Sequence, residues 1–184
     1  MSKPQTPNLE ELIHYCKSGD LQSQEMLYKH FYGYALGICL RYLYNREDAL
    51  EAVNDSFIKV FKSIDSFRED AHFKAWFRKI LVNTALDYKR KNMRFSQAIE
   101  LVDTEPQTTY SSALDNLSAK DILGLMKNLN ETQSLVFNLY EIDGYSHKEI
   151  GKMLNIPESS SRTYLTRAKQ TLQSLLITHS IYKR

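Results

Sequence analysis

The sequence predicts an all-α protein built as two helical domains. Apolar residues recur every three or four positions through most of its 184 residues, and only six glycines and four prolines interrupt these runs. Between residues 95 and 117 the periodicity gives way to polar side chains. We therefore expect an N-terminal helical bundle over residues 1–94, a flexible linker over 95–117 and a C-terminal domain over 118–184.

The N-terminal bundle is predicted to contain four helices. Asn8 and Asp20 are placed to cap the first and second, and Asn45 is placed to cap the third. A loop is expected over residues 65–71, followed by a fourth helix over about 72–93. Four helices of this length can close one compact domain.

The C-terminal domain is predicted to contain a helix-turn-helix. Ser118 opens a first helix and Asn130 a second. Ser146 and Glu149 form a capping box on a short helix, and Pro157 opens a longer one after a tight turn. Two helices joined in this way, the second rich in cations, are typical of a DNA-binding unit.

The longer helix divides into an inward and an outward stripe. Ser161, Leu165 and Ala168 lie at core spacing. The side chains that point away from them are those of Arg162, Thr163, Thr166 and Arg167. A helix that reads the major groove needs such an outward stripe, although an ordinary helical hairpin with a solvated basic face would show the same pattern.

Positive charge is concentrated in the fourth helix, although the whole chain carries only +2. Seven cations lie between residues 72 and 94 against one acid, Asp87, as a phosphate-binding surface requires. Aromatic side chains near the preceding loop could stack on unpaired bases. We expect Phe73 and Trp76 to belong to the core and Phe67, inside the loop, to be the stacking ring.

The third helix exposes an acidic and partly apolar face. Its members are Glu47, Asp48, Leu50, Glu51, Asn54 and Asp55. Such a face repels DNA and would suit a protein partner, although a merely solvated acidic face is the commoner case.

Three segments resemble the sigma subunits of bacterial RNA polymerase, in the two-domain extracytoplasmic-function group. The segment similar to their core-binding helix is REDALEAVNDSFIKVFKSIDSFR. The segment similar to the part that opens and reads the downstream promoter element is HFKAWFRKILVNTALDYKRK. The segment similar to the helix-turn-helix that reads the upstream element is LNETQSLVFNLYEIDGYSHKEIGKMLNIPESSSRTYLTRAKQTL. The resemblance implies sigma region 2 in the first domain and sigma region 4 in the second.

The resemblance also implies three sets of contact residues. Those that would contact the clamp helices of the largest polymerase subunit are Leu50, Glu51, Asn54 and Asp55. In the downstream set, Phe67 would hold a flipped base and Asn83 would bond to its edge. The side chains that would hold phosphates are Arg78, Lys79, Lys89 and Arg90. The upstream element would face Arg162, Thr163, Thr166 and Arg167, with Arg167 best placed to read guanine.

The recognition helix departs from the family pattern at two places. Relatives mostly carry Gly-Thr-Val where this chain has Ser159, Ser160 and Ser161, and arginine where it has Tyr164. We expect a buried Ser161 to bond back to a carbonyl of its own helix.

The sequence predicts no catalytic residue, metal or cofactor. Its two cysteines lack CxxC spacing, its five histidines lack metal-ligand spacing, and no glycine-rich phosphate loop is present. With a polar N-terminus and no long apolar run, we expect a cytoplasmic protein that does not insert into membranes. The expected partners are core RNA polymerase and promoter DNA, and the resemblance allows an anti-sigma factor. The alternative, a stand-alone helix-turn-helix regulator, explains only the C-terminal half.

Overall fold

The computed structural model describes residues 7–68, 72–99, 124, 126 and 128–181. These residues are helical apart from short connections and contain no strand, which confirms the all-α prediction. The chain divides into two compact units, Met1–Thr104 and Glu105–Arg184. The division therefore falls within the segment predicted as the linker.

The first unit contains the four predicted helices. They are α1 (Leu9–Lys17), α2 (Leu21–Leu43), α3 (Arg46–Ser63) and α4 (Phe73–Ile99), with a 3₁₀ turn at Ile64–Ser66 after α3. The predicted caps Asn8, Asp20 and Asn45 each accept a hydrogen bond from a backbone N–H in the first turn of their helix. Local side-chain chemistry thus sets where these helices begin.

The core of the first unit lies between α2, α3 and α4, which pack against one another, while α1 packs on α2. Tyr42, Phe57 and Phe77 are among its fully buried side chains, and the rings of Phe57 and Phe77 lie 4.9 Å apart. Burying such a ring stabilises the fold by about 1.5–3 kcal/mol. This packing leaves one face of α3 and one face of α4 open to solvent.

The fourth helix is longer than predicted. It continues to Ile99, so residues 95–99, with which the predicted linker begins, are helical. The segment contains neither proline nor glycine, so nothing in its backbone chemistry stops the helix. The rest of the predicted linker, 100–117, lies outside the described residues.

The second unit contains α5 (Glu131–Phe137), α6 (His147–Leu154) and α7 (Glu158–Ile181), and a π-helical turn at Asn138–Ile142 extends α5. Asn130 caps α5 and the Ser146–Glu149 capping box opens α6, both as predicted. The helix predicted from Ser118 lies largely outside the described residues, but Gly124 and Met126 are helical. An apolar cluster joins Met126 and Leu129 to two residues of α7, Ala168 and Leu172.

The turn between α6 and α7 depends on two special backbone positions. Asn155 ends α6 in the left-handed region with φ 54°. Gly151 lies one turn earlier, and a Cβ there would stand 2.8 Å from the carbonyl oxygen of Ile156. Only glycine lets the chain turn this tightly against α6.

Within the described ranges, no helix combines the length and the apolar content needed to cross a membrane.

Candidate polymerase-binding and DNA-binding surfaces

The four residues predicted to contact polymerase lie together on the outer face of α3. We call this group of Leu50, Glu51, Asn54 and Asp55 the α3 ridge. Glu51 and Asn54 are exposed, whereas Leu50 and Asp55 are half-buried. The ridge therefore offers charge, an amide and some apolar surface on one side of one helix.

Two tyrosines from neighbouring helices contact the α3 ridge. The Tyr28 hydroxyl, from α2, donates to Asn54 Oδ1 at 3.1 Å, and the Tyr88 hydroxyl, from α4, donates to Asp55 Oδ2 at 2.7 Å. Burial, the bond to Asp55 and nearby negative charge raise the pKa of Tyr88. Tyr88 lies at core spacing in the fourth helix, and a tyrosine there needs a partner for its hydroxyl, which is the one sequence signal that could have suggested this contact.

An exposed stripe runs along α4 at spacings of three and four residues. Its members Lys79, Asn83, Asp87 and Arg90 all face solvent. Lys79 and Asn83 make no side-chain hydrogen bond or ion pair with a described residue. Arg90 Nη1 donates to Asp87 Oδ1 at 2.7 Å. Three predicted DNA contacts thus share one accessible surface.

Arg78 and Lys89 lie on a different side of α4, next to α2. Arg78 Nε donates to the Tyr34 hydroxyl at 3.1 Å, and the Lys89 ammonium lies 5.0 Å from the centre of the Tyr44 ring. Both cations are half-buried. Since they are eleven positions apart, they share one helix face, but it is not the face of Asn83.

Phe67, predicted to hold a flipped base, does not present an open ring in this structure. Its side chain is only 5% exposed and packs 5.5 Å from the Phe73 ring and 5.2 Å from the Trp76 ring. The 3₁₀ turn after α3 directs the chain back over the first turn of α4, where the Lys17 ammonium also donates to the Phe67 carbonyl at 3.2 Å. Phe73 is buried as expected, but Trp76, expected in the core, is half-buried. Residues 69–71 of the predicted loop are not among those described.

The four predicted upstream-reading side chains are all exposed on α7. Arg162 Nη2 donates to Glu158 at 2.6 Å, and the Thr163 and Thr166 hydroxyls each donate to a carbonyl four residues earlier at 3.1 Å. Arg167 makes no side-chain hydrogen bond or ion pair with any residue that the structure describes. Its guanidinium can therefore reach a base without first breaking a bond.

Ser161 is buried as predicted, but its partner is not the carbonyl expected. Its Oγ lies 2.9 Å from His147 Nδ1, a bond that joins the first turn of α7 to the first turn of α6. The Tyr140 ring stacks on His147 at 4.4 Å and 20°. Burial and the charge of Arg162 lower the pKa of His147, against a smaller opposite effect of Glu158. The sequence analysis tested the histidines, His147 among them, only for metal-ligand spacing, and it did not predict this contact.

No metal site is apparent in the part of the chain that the structure describes. There, no three His, Cys, Asp or Glu side chains come together as ligands.

Family models match both units of the chain. A model of Sigma-70 region 2 matches residues 27–95, and a model of Sigma-70 region 4 matches residues 114–172. Among curated relatives, the ECF RNA polymerase sigma-E factor of Haemophilus influenzae is 25% identical, covering 90% of this chain and 93% of the relative. The protein of the same description from Escherichia coli K12 is 26% identical, covering 89% and 91%.

Two solved structures share the fold. One is CnrH in complex with the cytosolic domain of CnrY, with 23% identity and a TM-score of 0.50, covering 91% of this chain and 96% of that one. The other is the sigma factor RpoE in complex with the anti-sigma factor NepR from Bartonella quintana, with 21% identity and a TM-score of 0.57, covering 83% and 95%. With both regions matched in order, the chain belongs to the Sigma-70 family of RNA polymerase sigma factors, in the extracytoplasmic-function group.

Proposed function

We propose that this sigma factor directs polymerase to promoters through three separate surfaces. The α3 ridge binds the core enzyme, the exposed stripe of α4 opens and reads the downstream element, and α7 reads the upstream element. The observation that carries the proposal is the acidic ridge beside a cationic helix in the first unit. A stand-alone regulator would need only α7 and would leave both of those surfaces without a purpose.

The α3 ridge suits a cationic protein surface rather than DNA. Carboxylates at Glu51 and Asp55 attract positive side chains and repel phosphates, which favours the correct partner during encounter. Exposed ion pairs alone are worth at most about 1 kcal/mol each. Half-buried Leu50 adds apolar contact, so affinity for the core does not depend on charge alone.

The α4 stripe suits a single strand better than a closed duplex. Lys79 and Arg90 hold phosphates, while the Asn83 amide offers both donors and an acceptor to a base edge. Flipping a base out of the duplex costs a few kcal/mol, which these contacts offset in part. For Phe67 to stack on that base, its ring must leave the cluster with Phe73 and Trp76, whereas the half-buried Trp76 is already partly accessible.

The stripe on α7 suits the major groove. Arg167 can bond to guanine with two parallel N–H groups, and Arg162 is exposed on the same helix. The threonine hydroxyls have donated to their own helix, but their oxygens still accept and their methyl groups can contact thymine.

Three further features complete the proposal. Polymerase performs all the chemistry, so the chain itself is not an enzyme, and it works in the cytoplasm beside the core. The two solved structures that share its fold were determined with CnrY and with the anti-sigma factor NepR. We propose that this chain, too, binds an anti-sigma factor.

Transcription with purified components tests the proposal. Core polymerase is combined with the full chain, and run-off transcripts are collected from a library of genomic fragments. We expect transcripts that the core alone does not start. If none appear, or if the chain binds DNA but never core polymerase, the sigma assignment of these surfaces is wrong and the regulator is favoured.

Asn83→Ala tests the role of α4 in promoter opening. We expect this variant to reduce permanganate reactivity of the melted region far more than it reduces initial promoter binding, because the lost contact forms only with the flipped base. Gln22→Ala, which removes an exposed amide from α2, is the control. Normal melting by Asn83→Ala would contradict the role of Asn83.

A further inference from the structure

Adjacent residues of the α3 ridge accept hydrogen bonds from two different helices. Asn54 Oδ1 accepts a hydrogen bond from Tyr28 of α2, and Asp55 Oδ2 accepts one from Tyr88 of α4. The two hydroxyls belong to two helices that both pack against α3. Neither tyrosine is part of the ridge itself.

These bonds decide what the ridge shows to a partner. An asparagine side chain has one carbonyl oxygen and one NH₂ group, so a bond to the oxygen leaves the NH₂ directed elsewhere as a donor. Asp55 has one oxygen engaged and keeps the other as an acceptor. The ridge thus presents a donor at Asn54 next to an acceptor at Asp55.

Tyr88 is well suited to hold a carboxylate in place. Its bond to Asp55 is 2.7 Å long, as hydrogen bonds to charged oxygens are, and both side chains are half-buried. The negative charges of Asp55, Glu51 and Asp48 add to burial in raising its pKa, so the phenol keeps its proton and remains a donor. Tyr28 makes a longer bond at an exposed position, so it holds Asn54 less firmly.

We propose that Tyr28 and Tyr88 are positioning residues for polymerase binding, which fix Asn54 as a donor and Asp55 as an acceptor before the core enzyme arrives. This rests on the proposed role of the α3 ridge. The matching surface on the core would place an acceptor, such as a carbonyl, opposite Asn54 and a cation, such as a guanidinium, opposite Asp55. Fixing both side chains beforehand removes the entropy cost of ordering them at the interface.

The test measures the affinity of the full chain for purified core polymerase. Tyr88→Phe removes one hydroxyl and keeps the ring, and we expect it to weaken binding about tenfold, as loss of one charge-assisted hydrogen bond would. Tyr28→Phe should weaken binding less. In an Asp55→Ala background, Tyr88→Phe should have no further effect on affinity, because its hydroxyl acts through that carboxylate.

Thr84→Val is the matched control. Thr84 Oγ1 accepts from the Lys59 ammonium at 3.0 Å, so this variant also removes a hydrogen bond between α3 and α4, one helical turn beyond the ridge. The Thr84→Val variant should bind the core like the unaltered chain. If Thr84→Val weakens binding as much as Tyr88→Phe, the tyrosine supports the fold rather than the contact, and the inference is wrong.

The remaining outcomes separate the inference from the proposed function. If the unaltered chain does not bind the core, or if Asn54→Ala and Asp55→Ala bind it normally, the role of the ridge fails and the inference with it. If those two variants bind weakly while Tyr88→Phe and Tyr28→Phe bind normally, only the inference is overturned. A further loss on adding Tyr88→Phe to Asp55→Ala also overturns it.

Discussion

Helices α4 and α7 both carry side chains that we propose face DNA, but they hold them differently. On α7 the candidate readers are exposed, and the side-chain hydrogen bonds of Arg162, Thr163 and Thr166 run to their own helix. On α4, Arg78 and Lys89 lie against tyrosines at or near α2, and Phe67, just before the helix, is packed into the core. Binding and folding are therefore separable in the second unit and mixed in the first.

The largest expected effect is that of Phe67→Ala on the first unit. Removing a buried ring that contacts Phe73 and Trp76 should lower its free energy of unfolding by about 3–5 kcal/mol. Urea unfolding of the full chain measures this, with the transition of the second unit as an internal reference. Phe67→Leu is the control because it keeps most of the side-chain volume. If Phe67→Leu has normal stability but fails to open promoters, the ring also stacks on a base. Unaltered stability of Phe67→Ala would mean that the ring is not part of the core.

Gly151→Ala should produce the next largest change, in the second unit. Its new methyl group would meet the Ile156 carbonyl, and such overpacking costs about 1–3 kcal/mol. Thermal unfolding should show this loss of stability. Binding to the upstream element should be weaker as well. Gly33→Ala in α2 is the contrasting variant, because its Cβ would enter open space and should stabilise the first unit by about 0.5–1 kcal/mol. Equal stability of the two variants would contradict the tight turn.

Arg167→Ala separates base reading from phosphate binding. We expect it to lose about 1–3 kcal/mol of discrimination between the preferred upstream element and single-base variants of it, with no loss of stability. Lys79→Ala on α4 should instead weaken DNA binding at all sequences alike and lower the salt dependence of the affinity. Competition assays with holoenzyme at several salt concentrations compare them. Unchanged discrimination by Arg167→Ala would refute its role as a reader.

The smallest expected effect is a pH dependence in the second unit. Folding lowers the pKa of His147, so the folded state favours the neutral ring. The preference for the neutral ring stabilises the fold fully at pH values above about 6.5, the pKa of the ring in the unfolded chain. It is lost as the pH falls below that value towards the folded pKa. Thermal unfolding should show that the unaltered chain loses a little stability between pH 7.5 and pH 5.5, and that His147→Gln loses less. Identical pH profiles would exclude His147 as the cause.

Sequence patterns predicted the features that depend on near neighbours in the chain. The caps at Asn8, Asp20, Asn45 and Ser146 follow from side chains that bond within three residues, and the outward stripe of α7 follows from helical periodicity. The patterns failed where distant segments meet. The burial of Phe67 depends on the path of a turn, and the partner of Ser161 comes from another helix, fourteen residues away.

Helix α4 is 27 residues long, or about 40 Å from end to end. Along it, Lys79 and Arg90 are separated by about 16 Å, and a stacked strand advances about 3.4 Å per nucleotide. On the proposed function, the two cations bind phosphates roughly five nucleotides apart along a stacked strand. The rise of the helix then sets the distance between the two phosphates, and we expect a promoter whose melted segment is shorter to leave one cation without a phosphate.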